Sequence, residues 1–578
     1  MKRLLKYFAG YRREAVLAPF FKIIEAIFEL LVPLVVAAII DKGIPSGDKG
    51  YILAMCGLMI LLGAVGLAST LTAQYFSAKG AVGFSSAVRQ ALFDHIQSLS
   101  FTELDRLGTS TLITRLTNDL NQVQTGVNLT LRLLMRSPII VFGAMIMAFT
   151  IDVKSALIFV AVIPLLSVVV FGIMLISIPL YAKVQKSLDK VLLSTKENLS
   201  GARVIRAFCM EESETRDFTE KNDRLANIQK FVGRVSAVMN PLTYVIVNLG
   251  IIFLIRSGAM KVQQGILTQG MVIALYNYMS QILVELVKLA NLIISITKSL
   301  ACANRIAAVL DITPSMEDGS LNEANPESEY AIEFDNVSFR YAGAAADSLE
   351  NINLKIKKGE TIGIIGSTGC GKTTLVSLIP RFYDCTEGSV KVFGEDVKDY
   401  SGKALRDLAA VVLQKTVLFK GSIRENILWG NENASEDEVK EAISLAQAAD
   451  VVASKKEGLD YIVEQGGKNL SGGQQQRLSI ARALVKKPSI LILDDSSSAL
   501  DYATDAALRK SLSGLDYNPT VLTVSQRVST VMHCDRVVVL EDGEAVGIGT
   551  HDELLSSCPE YKELYDSQII NAEGGNGR

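Results

Sequence analysis

The chain has 578 residues, 49% of them hydrophobic and 21% charged, and its mean hydropathy is +0.29. That is too apolar for an ordinary soluble protein or a disordered one, because a soluble surface needs more charge. The 58 basic and 61 acidic residues leave a net charge of −3, so bulk electrostatics give no support to a nucleic-acid role. Seven cysteines show no metal-ligand spacing, and an odd number cannot all pair internally, so they read as reduced thiols.

The apolar runs lie in the first 300 residues. A bilayer core of ~30 Å takes about 20 helical residues to cross. Six spans are predicted on that basis, over residues 15–40, 51–78, 129–151, 155–182, 235–257 and 268–297. The second and fourth contain no Asp, Glu, Lys or Arg. The first carries Lys22, Glu25 and Glu29, the third is interrupted by Arg132 and Arg136, and the sixth carries Glu285 and Lys288. Charges inside the first span, and no short apolar region with a cleavage site, separate it from a cleaved leader.

The connections at 41–50, 152–154 and 256–267 are short, whereas 79–128 and 183–234 are long and charged. Lys2, Arg3, Lys6, Arg12 and Arg13 make the N-terminus basic, which places it in the cytosol together with both long connections. Six spans return the second half of the chain to that side. Residues 1–310 are therefore expected to form a transmembrane domain. Residues 311–330, rich in Asp, Glu, Pro, Asn and Ser, read as a linker. Apolar strands at 331–334, 361–365, 490–493, 520–524 and 537–540 then alternate with helical stretches, an α/β pattern over 331–570. The polar, Gly-rich tail 571–578 is expected to be disordered.

The strand at 361–365 is followed by Gly366-Ser367-Thr368-Gly369-Cys370-Gly371-Lys372-Thr373, a complete G-x-x-x-x-G-K-T. Its glycines let backbone N–H groups wrap a phosphate, Lys372 brings a point charge to the β- and γ-phosphates, and the Thr373 hydroxyl ligates Mg²⁺. A helix should begin near Thr374. The strand at 490–493 ends in Asp494-Asp495, with Asp494 expected to reach the metal through water.

Further motifs make the pattern specific. Leu470-Ser471-Gly472-Gly473-Gln474, continuing through Gln475-Gln476-Arg477-Leu478-Ser479-Ile480-Ala481-Arg482-Ala483, resembles the signature segment of ABC transporter ATPases. Tyr341 sits where that family stacks an aromatic ring on adenine. Gln414 matches its Q-loop, with Leu418-Phe419 and Ile423-Arg424-Glu425-Asn426-Ile427 after it, and Ser498-Ala499-Leu500-Asp501 matches its D-loop. Residues 101–119 and 197–212 resemble the cytosolic loops of the family's exporters that dock on the ATPase domains.

The resemblance implies a membrane α-helical domain, with six transmembrane helices and long cytosolic helical extensions, plus an α/β P-loop ATPase domain with a helical subdomain. It implies ATP held by Tyr341, Gly366, Ser367, Thr368, Gly369, Cys370, Gly371, Lys372, Thr373 and Thr374, and across a dimer by Ser471, Gly472, Gly473, Gln474 and Asp501. Thr373, Gln414 and Asp494 would hold Mg²⁺, and Gln414, Asp495 and Gln526 would act in hydrolysis. Two ATPase domains close on ATP, and the cytosolic loops convert closure into outward opening of the helices. One chain has one membrane half and one ATPase domain, so a second half-transporter chain is implied. The setting is the plasma or inner membrane, multi-pass, among lipids, with the N-terminus and ATPase domain cytosolic. The cargo implied is a hydrophobic or amphiphilic small molecule. The fused order resembles exporters rather than importers, and no peptidase domain before the first span argues against a processed peptide as cargo.

Two positions depart from the family. The residue after Asp494 is usually Glu, the general base, and here it is Asp495, one methylene or roughly 1.3–1.5 Å shorter against a working hydrogen-bond range of ~2.6–3.2 Å. The switch position before Arg527 is usually His and here it is Gln526, which donates a hydrogen bond but carries no proton or positive charge. A missing base typically costs ~10²–10⁴ in rate. One reading is a degenerate site that holds ATP while the signature completes a partner's competent site, as in heterodimeric multidrug exporters. The alternatives are a homodimeric exporter with slow hydrolysis and a nucleotide-gated regulatory membrane protein. Val463-Glu464-Gln465-Gly466-Gly467 also departs from the family's common pattern. Glu25, Glu29 and Glu285 either line a cavity that attracts cationic amphiphiles or serve structural pairing, since intramembrane charges face water or one another.

Overall fold

A computed structural model of the chain describes residues 2–574. It divides into two compact units, residues 1–97 with 109–312, and residues 98–108 with 313 onward.

Among the described residues, the first unit contains six helices long and apolar enough to cross a membrane: Arg3–Ser46, Lys49–Ser98, Thr109–Ile151, Val153–Ser200, Glu211–Gln263 and Gln269–Leu310. They run from 42 to 53 residues, about twice the ~20 a bilayer core requires. The surplus lies in the charged stretches 79–128 and 183–234, most of which continue the spans as helix. At ~1.5 Å per residue, the 50-residue Lys49–Ser98 helix is about 75 Å long. Leu30, Ile140, Ala144, Phe159, Leu254, Tyr278 and Met279 form the common core. The Tyr278 hydroxyl donates to the Leu30 carbonyl at 2.6 Å, pinning the sixth span to the first. Leu53, Ile60 and Val168 are exposed, as lipid-facing residues of a spanning helix would be.

Two polar devices fix the spans. Where the first span ends in a π-helical turn, Ile39–Gly43, Asp41 accepts from the Gly270 amide at 2.7 Å and from the Thr268 hydroxyl, capping the sixth helix from a different span. A Cβ at Gly270 would overlap the Ala37 carbonyl, so only glycine permits this approach.

Mid-span, Arg136 donates to Glu285 at 2.6 Å and Glu29 at 2.7 Å, and lies 3.5 Å from Glu25. Lys288 pairs with Glu285 at 2.9 Å, Lys22 pairs with Glu25, and Ser137 donates to Glu285 at 2.9 Å. Three carboxylates thus meet three cations. This favours the pairing role for Glu25, Glu29 and Glu285 and removes the net negative charge that a cation-attracting cavity would need.

The second unit is built on strands β1 (Tyr330–Phe339), β2 (Leu349–Lys357), β3 (Thr361–Gly366), β4 (Glu387–Val392), β5 (Glu395–Asp396), β6 (Ala409–Val412), β7 (Gly421–Ser422), β8 (Ile462–Val463), β9 (Ile490–Asp494), β10 (Thr520–Val524), β11 (Arg536–Glu541) and β12 (Glu544–Gly549). One six-stranded sheet has the order β12-β11-β3-β10-β9-β6, parallel except for β12. Its strands read as nearly continuous apolar runs because both faces are buried. An antiparallel sheet, β2-β1-β4-β5, packs beside it. Helices Ile423–Leu428, Glu436–Leu445 and Gly472–Leu484 form a helical subdomain around Val439, Ile443, Leu478 and Ile480.

Residues 313–329 hold no helix or strand, and Leu321 bridges to Tyr400. The last helix, Pro559–Gly574, takes in residues 571–574 of the segment expected to be disordered. Its start is anchored by the fully buried Tyr561, and propagating a nucleated helix costs little. Residues 575–578 lie outside the described residues.

Candidate functional site

The carboxyl ends of neighbouring parallel strands converge on one place. Val524 of β10 pairs with Ile364 of β3 on one side and with Asp494 of β9 on the other, and β6 follows β9. The glycine-rich loop therefore leaves β3 next to Asp494-Asp495 leaving β9, Gln526 leaving β10 and Gln414 leaving β6. Open α/β sheets bind ligands at such strand ends.

In the loop, Gly371 has φ +98°, and a Cβ there would lie 2.6 Å from the Ser348 carbonyl oxygen. The helix begins at Lys372, two residues ahead of the predicted start. Lys372 is buried, and its ammonium donates to the carbonyls of Gly366 at 2.8 Å and Ser367 at 2.6 Å, so its charge lies inside the loop's curl. The Thr373 hydroxyl donates to Asp494 Oδ1 at 3.0 Å. Asp494 is only 2% exposed. Burial pushes its carboxyl above the usual range; the Thr373 hydrogen bond opposes that, the adjacent Asp495 adds to it, and Lys372 opposes it. A hydroxyl and a buried carboxylate in contact beside a lysine are a donor set that fits Mg²⁺.

Asp495 sits in a left-handed turn, φ +47°, with its amide donating to the Val524 carbonyl at 3.0 Å. The Gln414 side-chain amide donates to Asp495 Oδ2 at 3.1 Å, so two residues expected to act in hydrolysis are in contact. The Thr368 hydroxyl lies 3.5 Å from Gln526 Oε1, bringing the third within reach of the loop. Gln568, which sequence reasoning did not single out, holds this turn: it donates to the Gln526 carbonyl and accepts from the Val528 amide, both at 2.8 Å. Tyr341 lies against the same loop, its hydroxyl 3.1 Å from Thr374 Oγ1.

Ser471–Gln474 belong to the helical subdomain rather than to the strand ends. Ser471 caps the helix Gly472–Leu484, accepting from the Gln474 amide at 3.3 Å while the Gln474 side chain accepts from the Ser471 amide at 3.1 Å. The capping box leaves free N–H groups at a positive helix end, which favours an anion. Just ahead of it, Gln475 donates to the Gly467 carbonyl at 2.9 Å, tying the unusual 463–467 segment to the signature helix. Asp501 caps the helix Tyr502–Leu512 through the Thr504 amide at 2.8 Å. That hydrogen bond and the Thr504 hydroxyl hold its carboxyl below the usual range.

Comparison with known proteins agrees with this layout. Residues 15–286 match the ABC transporter transmembrane region, and residues 349–498 match the ABC transporter family. An uncharacterised ABC transporter ATP-binding protein of Bacillus subtilis, YfiB, is 36% identical over 98% of this chain and 99% of its own length. The chain belongs to the ABC transporter family. A putative multidrug export ATP-binding/permease protein of the same organism, YgaD, is 33% identical to this transporter over 99% of the chain and 100% of its own length. The structure of a bacterial Atm1-family ABC exporter with ATP bound matches the transporter's fold with a TM-score of 0.78 at 24% identity, covering 96% of this chain and 98% of that one. The chain is thus a fused, exporter-type half-transporter: a multi-pass membrane protein whose second unit is a cytosolic ABC ATPase domain.

Proposed function

We propose that the chain is one half of a heterodimeric exporter of drugs or lipid-like amphiphiles, and that its own nucleotide site binds ATP but hydrolyses it slowly. Gly366–Thr374 and Tyr341 hold the nucleotide, with Thr373, Asp494 and Gln414 around Mg²⁺. That ion, when bound, supplies positive charge against the phosphates. Ser471–Gln474 and Asp501 complete the second chain's site. The observation that carries the reading is the grouping at the strand ends. There the short carboxylate of Asp495 is engaged by Gln414, and an amide, Gln526, faces Thr368 where an imidazole would serve turnover. The relative named as a multidrug export protein supports the choice of cargo class.

Restoring both groups tests the site. Asp495→Glu with Gln526→His is expected to raise Mg-ATP turnover of the purified chain, in a sample shown to be dimeric so that a signature faces each P-loop, by ~10²–10⁴-fold, the usual worth of a general base. Unchanged turnover in a variant that still binds ATP would reject the degenerate-site reading and favour a slow homodimer or a nucleotide-gated regulator.

A further inference from the structure

Strand β10 ends at Val524, and the turn after it carries Gln526, the residue at the switch position. The Ser525 amide donates to the Ile364 carbonyl of β3 at 3.0 Å, so the start of the turn is tied to the strand that leads into the P-loop. Val528 then begins a short helix, Val528–Val531, whose N-cap is Arg527. A helix start leaves amide donors without intrahelical partners, and an arginine side chain has no acceptor to offer them. The side-chain amide of Gln568 takes the place of a cap. Its Oε1 accepts from the Val528 amide and its Nε2 donates to the Gln526 carbonyl, both at 2.8 Å. The peptide groups on either side of Arg527 are thus fixed by one planar group.

Gln568 is itself held in place. It lies on the helix Pro559–Gly574, whose Tyr561 is fully buried, with its hydroxyl 2.8 Å from His551 Nδ1. Ile365 of β3, Val528, Val531 and Tyr561 belong to one apolar cluster, and Leu564 packs against it. The strand that enters the P-loop, the helix after the switch and the last helix therefore share a core. The Gln526 side chain, by contrast, is exposed. Its Oε1 lies 3.5 Å from the Thr368 hydroxyl, which leaves Nε2 to donate elsewhere. Glutamine has one more side-chain torsion than histidine, so where that donor reaches depends more on a fixed backbone.

We propose that Gln568 is a positioning residue for γ-phosphate recognition: by fixing the turn from the last helix, it holds the Gln526 amide where it distinguishes ATP from ADP. The proposal rests on the reading of Gln526 as the residue that faces the γ-phosphate. Gln568 acts through Gln526 rather than on the nucleotide. Its loss lets the turn relax, so the effect belongs to the third phosphate alone. Affinity for ADP, which the P-loop and Tyr341 supply, should stay as it is.

Equilibrium binding of Mg-ADP and of Mg-AMPPNP, a non-hydrolysable ATP analogue, to the full-length chain in nanodiscs tests this. Gln526→Ala is expected to lower the preference for AMPPNP over ADP about tenfold, the scale of one hydrogen bond to a charged acceptor. Gln568→Leu keeps the bulk of the side chain but neither hydrogen bond, and should lose most of the same preference with ADP affinity unchanged. Gln568→Glu can still accept from Val528 but cannot donate to the Gln526 carbonyl, and should fall between. Gln526→Ala combined with Gln568→Leu should be no worse than Gln526→Ala alone, because residues that act as one unit are not additive. A preference unchanged in both Gln568 variants, equal losses of AMPPNP and ADP affinity, or losses that add in the double variant overturn the proposal. An unchanged preference in Gln526→Ala would instead remove the reading of Gln526 beneath it.

Discussion

Among the described residues of the membrane unit, Arg136 holds together more opposite charge than any other: three carboxylates on two other spans surround it. Removing one partner of a buried ion pair typically costs ~3–5 kcal/mol. Arg136→Met should therefore lower the thermal unfolding temperature of the detergent-solubilised chain markedly, and adding Glu285→Gln should recover part of the loss. Glu25→Gln with Glu29→Gln should leave transport of an organic cation intact, because Glu29 is paired with Arg136 and Glu25 with Lys22, beside Arg136. Loss of that transport in a stably folded variant would restore the cavity reading. In the ATPase unit, Lys372→Ala should weaken ATP binding by roughly 10- to 100-fold, the scale of a hydrogen bond made by a charged group, as read by displacement of a fluorescent ATP analogue. The acidic residues of the spans were visible in the sequence, but their partner was not. Arg136 stands 107 residues from Glu29 and 149 from Glu285, and no local spacing rule connects positions that far apart.

Among the elements, the six apolar runs and the strands that frame the nucleotide motifs were legible because their signals are local. Length, absence of charge and an apolar run before G-x-x-x-x-G-K-T are each contained in one segment. The charged stretches 79–128 and 183–234 read as long connections, yet most of their length is helix. Those helices extend beyond the apolar core, so a hydropathy boundary marks the bilayer edge rather than the helix end. The register of spans one and six depends on close backbone approach at Gly270, which a sequence pattern does not reveal. Gly270→Ala should cost about 1–3 kcal/mol by overpacking, measurable as a lower unfolding temperature, whereas Gly10→Ala, with nothing within 4 Å, should not. Ser471→Ala breaks a capping box and should destabilise the signature helix by ~0.5–2 kcal/mol.

At the scale of the whole molecule, one membrane unit and one ATPase unit make half a transporter. On the proposed reading, the nucleotide groups of the strand ends and the signature at its helix start each supply one side of a site. The order of motifs along the chain disclosed the family, since each carries its chemistry in a few adjacent residues. The departures at Asp495 and Gln526 carry the proposal of a slow site, and their contacts with Gln414 and Thr368 became visible only when the sheet placed four strand ends together. The most direct measurement is steady-state Mg-ATP hydrolysis by the purified chain alone, with ATP binding determined in the same sample. Firm binding with little turnover is the expected result, together with appreciable hydrolysis once a partner chain bearing Glu and His at these positions is added. Brisk hydrolysis by the chain alone would contradict the account and make a homodimeric pump the leading description.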